Sequence, residues 1–206
     1  MVSSINETNE TFGGNGPEDI FRKAFSTMGK DNDIIQGWGL YLFPNLMEII
    51  VNKMADLIEN DDDEYDCICG VHTCGLPLAS MLSFKLHKPL IENLPLEIHA
   101  TTGNPIHAHD LVREKGFKTA ILVDSVINTG YSAHASFEVL KKAKITVKKL
   151  FVAVYHDEIS PNSKSVFRAH FEDPPAGVKK NPVDIIKLWN YSELGQVYNK
   201  YKSDLL

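Results

Sequence analysis

Basic clusters are what this sequence most clearly lacks. Its 206 residues carry 21 Lys and Arg against 27 Asp and Glu, a formal net charge of −6, and the cations nowhere gather into a run. A nucleic-acid surface needs such a run, so nucleic acid is not expected as a main partner. Cysteine is scarce too. Cys67, Cys69 and Cys74 are an odd count in a mid-sized chain, which fits a reducing cytoplasm rather than a disulfide framework. No apolar stretch reaches membrane-spanning length, and residues 1–16 are polar without a signal-peptide core, so no membrane association is expected. The Gly-Lys-Ser/Thr of a Walker loop and the G-x-G-x-x-G of a dinucleotide site are absent. What is present is apolar material, 43% of the chain, enough for one domain with a sizeable core.

The chain is organised around T-A-I-L-V-D-S-V-I-N-T-G-Y-S, Thr119 to Ser132. Ala120–Val123 is an apolar run ending in Asp124 and reads as a buried strand, while Ser132–Lys142 has helical spacing. A strand that turns through Thr-Gly into a helix aims backbone N–H groups and the positive helix end at one spot, which suits a phosphate. Asp124 lies at the strand's carboxyl end, where open α/β sheets bind ligands. An anion cradle beside a carboxylate suggests a sugar phosphate. On spacing alone, an ordinary strand–turn–helix fits equally well, with Asn128 and Ser132 as turn and capping residues.

In chain order, residues 1–16 form an expected disordered tail, followed by one domain over 17–206. Helices are predicted over Pro17–Met28, Pro44–Asn60, Pro77–Leu86 and Ser192–Tyr201, the last capped by Ser192. Strands are predicted over Asp66–Val71, Pro89–Ile91, Lys148–Tyr155 and Pro182–Trp189. Gly37–Phe43 is a strand or a hood segment lying over the site, and Asp61–Glu64 a solvated loop lacking the Gly and Glu of a calcium loop. The passage from Glu92 to Asp110 has no periodicity, and a loop of that length in a compact domain is either a lid or disordered. Strands alternating with helices imply an α/β fold with a mostly parallel sheet. A zinc cluster of Cys67, Cys69, His72 and Cys74 would distort the strand they share; Cys67 and Cys69 fall on one face, as core residues do. His107 and His109 read as loop histidines, with a pyrophosphate-contacting or pH-sensitive lid as the alternative.

The stretch I-L-V-D-S-V-I-N-T-G-Y-S resembles the phosphoribosyl-pyrophosphate (PRPP) motif of the type I phosphoribosyltransferases. It matches at Ile121–Asp124, Val126, Ile127, Thr129, Gly130 and Ser132, and departs at Ser125, where the family carries a second acidic residue. G-V-H-T-C-G-L-P-L-A, from Gly70, resembles the pyrophosphate loop of orotate phosphoribosyltransferases. V-D-I-I-K-L-W-N-Y-S-E-L-G-Q-V-Y, from Val183, is similar to their last strand and helix. A second departure lies where orotate-type members have basic residues: here stands Glu92-Asn93-Leu94, and the next basic residue other than His is Arg113.

The resemblance implies a mostly parallel twisted sheet flanked by helices, with a small hood. It implies transfer of ribose 5-phosphate from PRPP to a nucleobase, orotate being the nearest choice, with release of pyrophosphate. Asp124 and Asn128 would be the catalytic residues: Asp124, with Ser125, would meet the ribose, and Asn128 would stand near the base. Asn128, Thr129, Gly130, Tyr131 and Ser132 would grip the 5′-phosphate; His72, Thr73, Cys74 and Gly75 would hold pyrophosphate. Mg²⁺ would be held mainly by pyrophosphate and ribose oxygens, with few protein ligands and no residue assigned as one. A cytoplasmic homodimer completes the expectation. Two rival readings remain: a non-catalytic PRPP- or nucleotide-binding regulator on the same fold, and an α/β hydrolase using Asp124 as nucleophile.

Overall fold

The computed structural model describes residues 27–28, 34–35, 37–92, 115–158 and 183–205. In chain order its elements are β1 (Thr27–Met28), β2 (Ile34–Ile35), a 3₁₀ helix (Gly37–Leu42), α1 (Pro44–Glu59) and β3 (Cys67–Gly70). There follow α2 (Gly75–Leu86), β4 (Leu90–Glu92), β5 (Thr119–Ile127), α3 (Tyr131–Lys142), β6 (Thr146–Tyr155), β7 (Asp184–Asn190), a 3₁₀ turn (Tyr191–Glu193) and α4 (Leu194–Leu205). Strands β3 to β7 form one parallel sheet in the order β4-β3-β5-β6-β7. Parallel strands covered on both faces need apolar residues on both, which is why β5 and β6 are apolar runs.

The core is split by the sheet. On one face Ile68, Ile121, Val123, Phe151 and Ala153 pack against Leu46, Ile50 and Met54 of α1, Leu78 and Leu82 of α2, and Val197 of α4. On the other, Cys67, Cys69, Leu122, Leu150 and Val152 pack against Ala133 and Leu140 of α3. Cys67 and Cys69 are thus buried thiols, and burial pushes Cys67 up to about 12, where it is inert.

Several boundaries differ from the sequence expectation. The central strand runs four residues past Val123, through Asp124 and Ser125 to Ile127, because β6 keeps pairing with it as far as Tyr155. Gly37–Phe43 is not a strand but a 3₁₀ helix followed by Phe43, lying on the carboxyl end of the sheet. The last helix starts at Leu194, and its lead-in turn is closed by Glu193, which accepts from the Asn190 N–H at 2.8 Å; Ser192 is spent on Asp157 instead. Asp61 and Asp63 are not simply solvated, since both pair with Lys149 at the start of β6. Thr27 and Met28 pair with β2, so no helix reaches Met28. The tail 1–16, the rest of the 17–28 helix, the passage from Asn93 to Asp110 and residues 159–182 lie outside the described residues.

Candidate functional site

Two loops leave the carboxyl ends of the adjacent parallel strands β3 and β5, the place where such sheets take ligands. The first turns through Val71–Cys74 and is closed by the Gly75 N–H donating to the Val71 carbonyl at 2.9 Å. The peptide between His72 and Thr73 is cis. The second runs from Asn128 to Gly130 into α3. Gly130 has φ of 83°, a left-handed conformation that favours glycine and starts the helix directly after the turn. Helix geometry leaves the N–H groups at the start of α3 without an acceptor inside the helix. Tyr131 N–H reaches only Thr129 Oγ1, at a long 3.4 Å.

Asp124, Val126, Ile127, Asn128, Thr129, Gly130, Tyr131, Ser132 and Ala133 line a cavity of about 230 Å³. Every residue assigned to a 5′-phosphate from the sequence therefore shares one concavity with Asp124. None of the described residues lining it is a Lys or Arg, so its positive potential comes from backbone dipoles alone. Asp124 sits on the floor, only 6% exposed. Burial pushes its carboxyl up to about 8, against hydrogen bonds from the Ser125 and Val126 N–H groups that pull the other way.

The two loops touch through Gly75. A Cβ there would lie 2.5 Å from the Val123 carbonyl oxygen and 3.1 Å from Asp124 Oδ1. Glycine at this position thus admits the β5 backbone and the carboxylate.

Ser125 lies outside the cavity. It is completely buried, and a Cβ on Gly37 would come 2.2 Å from its Oγ. The 3₁₀ helix forms this cover and is clasped to the first loop. The Tyr41 hydroxyl donates to the Cys74 carbonyl, and the Gly37 and Trp38 N–H groups face the Cys74 thiol. A second carboxylate at position 125 would be sealed beneath this helix, away from a ribose. Burial also pushes the Tyr41 phenol and the Cys74 thiol up, so both are neutral.

Sequence reasoning missed His156. It follows β6, is 3% exposed, and places Nδ1 3.1 Å from Asn128 Oδ1, while its N–H donates to the Ile127 carbonyl at 3.0 Å. A polar residue at the carboxyl end of a parallel strand was the available signal. Tyr41, inside an aromatic segment, carried none. Among the described residues no group of three or more His, Cys, Asp or Glu is placed to hold a metal ion, and no helix is long and apolar enough to cross a membrane.

No family model matches the chain. Similar proteins do exist. A transcriptional regulator GfcR of Archaeoglobus fulgidus is 27% identical over 53% of this chain and 58% of its own length. An orotate phosphoribosyltransferase of the same organism is 27% identical over 61% of this chain and 67% of its own, and a hypoxanthine/guanine phosphoribosyltransferase of Methanocella paludicola is 30% identical over 52% and 60%. The matches thus span little more than half to two thirds of these relatives. Among solved structures, orotate phosphoribosyltransferase from Aeropyrum pernix superposes with a TM-score of 0.59 at 20% identity, covering 88% of this chain and 98% of that one. Adenine phosphoribosyltransferase from Leishmania tarentolae gives 0.55 at 14%, covering 79% and 80%.

The fold is that of the type I phosphoribosyltransferases. In sequence the chain resembles the same group, orotate phosphoribosyltransferases among them, with a degenerate PRPP motif at Ser125. The type I fold accounts for the five-stranded parallel sheet flanked by helices.

Proposed function

We propose that the protein is a PRPP-dependent phosphoribosyltransferase, joining a nucleobase to ribose 5-phosphate with release of pyrophosphate, and that orotate is the first acceptor to try. The observation that carries this reading is the cavity over Asp124 to Ala133, abutted at Gly75 by a second loop on the next strand. In the reaction the bond from C1′ to the diphosphate oxygen breaks as a ring nitrogen attacks. Positive charge grows on the sugar and negative charge on the leaving group, so the protein must position and stabilise rather than supply a nucleophile.

Backbone N–H groups at the start of α3, with the hydroxyls of Thr129 and Ser132, hold the 5′-phosphate. Those of His72 to Cys74 hold the pyrophosphate; the Gly75 N–H, expected to join them, is taken by the Val71 carbonyl. Asp124 meets the ribose hydroxyls. A carboxyl raised to about 8 is largely protonated in the free protein at neutral pH and gives up its proton when a cation comes near. Mg²⁺ suits this donor set: one carboxylate, Asp124, would face it, with ligand oxygens and water supplying the rest. Bound there, the ion would neutralise charge on the diphosphate. The same proposal places the protein in the cytoplasm as a homodimer, whose partner copy would cover the exposed Phe84 and Met81 of α2.

One observation favours a second reading. With Ser125 sealed beneath Gly37, the cavity has a single carboxylate, which fits a non-catalytic sensor of PRPP or a nucleotide. The resemblance to a transcriptional regulator points the same way. Pyrophosphate release from PRPP with Mg²⁺ and a panel of orotate, uracil, hypoxanthine and adenine decides. Turnover with any base supports the enzyme. Saturable PRPP binding without turnover selects the sensor.

A further inference from the structure

The 3₁₀ helix grips the first loop at one residue, Cys74, by both its thiol and its carbonyl. The opening N–H groups of a helix have no acceptor within it, and those of Gly37 and Trp38 face the Cys74 thiol. One turn on, the Tyr41 hydroxyl donates to the Cys74 carbonyl, which can only accept. The N–H of the same peptide unit, on Gly75, donates to the Val71 carbonyl at 2.9 Å. A planar peptide held at its oxygen and at its N–H cannot turn, so the loop from Val71 to Gly75 has a locked exit. The lock draws on neighbouring elements as well. The Leu78 N–H of α2 and Ser125 of β5 adjoin the Tyr41 hydroxyl, and the Tyr41 ring leans on Trp38, centroids 5.7 Å apart.

We propose that Tyr41 is a positioning residue: by holding the Cys74 carbonyl it keeps the loop from Val71 to Gly75 in the shape that takes pyrophosphate. The inference rests on the phosphoribosyl reading above, which gives pyrophosphate to the N–H groups of His72 to Cys74 and the 5′-phosphate to the start of α3. These are separate turns on the adjacent strands β3 and β5. Tyr41 bonds to the first turn and is not among the residues lining the cavity at the second. Backbone N–H groups grip an anion best when already in place. A loop that must be reordered on binding loses affinity in proportion to how seldom it has the right shape. Removing the hydroxyl costs the loop about one hydrogen bond, which limits the loss to about tenfold. Ribose 5-phosphate, which reaches only the second turn, should not register the change.

The test uses the full chain and two probes, inorganic pyrophosphate and ribose 5-phosphate, each titrated by calorimetry with Mg²⁺ present. Tyr41→Phe keeps the ring against Trp38 and removes the donor. The expected result is that pyrophosphate weakens by at least about threefold and up to about tenfold, while ribose 5-phosphate holds within about twofold. A smaller loss for pyrophosphate, or an equal loss for both probes, would overturn the proposal. Should Tyr41→Phe not fold, hydrogen exchange of the wild type decides. Pyrophosphate should slow exchange in residues 37–42 together with 71–75, and slowing confined to 71–75 sinks the proposal. A wild type that binds no pyrophosphate removes the phosphoribosyl reading and this inference with it. Pyrophosphate binding that is the same in wild type and Tyr41→Phe removes the inference alone.

Discussion

Asp124→Asn is expected to make the ligand-free protein more stable and the site much weaker. In the unfolded chain the carboxyl titrates near 3.8, whereas burial in the fold pushes it to about 8. The folded state therefore binds the proton more tightly than the unfolded state does. The sign follows: below pH 3.8 the group costs nothing, and as pH rises from there toward 8 stability falls, because ionisation is easy only in the unfolded chain. At about 1.4 kcal/mol per unit, the penalty is roughly 2 kcal/mol at pH 5 and roughly 4 kcal/mol at pH 7. Asn has the same shape and no charge to desolvate. The variant should thus gain up to about 4 kcal/mol at pH 7, on the order of 10 °C in Tm for a chain of this size, and about half as much at pH 5. Calorimetric or urea-induced unfolding at a series of pH values measures this, and affinity for Mg²⁺ and PRPP should fall at least about tenfold in the same variant. A variant no more stable than wild type at pH 7, or a gain that does not shrink toward pH 5, refutes the assignment of a desolvated carboxyl to the cavity floor.

Three other outcomes follow from the same geometry. Ser125→Asp restores the family's second acidic residue but places it in a fully buried position under Gly37, so it should cost roughly 3 kcal/mol in urea unfolding and give no rise in PRPP affinity. Gly130→Val forces a β-branched residue into φ of 83° and crowds the cavity wall; ribose 5-phosphate binding should be lost by calorimetry. Asp66 accepts from the Lys118 and Thr119 N–H groups at 2.7 and 2.8 Å, which hold its carboxyl below the ordinary value of 3.8. Its contribution is present above that value and lost as pH falls through the lowered one. Asp66→Asn should accordingly flatten the acid limb of the stability profile below about pH 4, and an unchanged limb counts against the role.

The family resemblance was legible because what carries it is contiguous. Thr129, Gly130 and Ser132 follow an apolar strand within a dozen residues, and a strand, a tight turn and a helix start are each dictated by their own short stretch. The parallel sheet was legible for a similar reason, since strands covered on both faces must be apolar throughout. The boundaries failed where a neighbour decided them. β5 continues through Asp124 and Ser125 because β6 pairs with it, and Ser192 does not cap the last helix because Asp157, 35 residues away, takes its N–H and hydroxyl.

The sequence by itself determined that a tight glycine turn and a helix start follow a carboxylate at the end of a buried strand, since residues 119–132 suffice to build them. Only the tertiary structure decided what those groups are. It put Gly37 over Ser125, 88 residues away in the chain, set Gly75 against Asp124, and brought His156 to Asn128. Desolvation, hydrogen-bond direction and access depend on which atoms surround a group, and those atoms come from distant segments that no local pattern encodes.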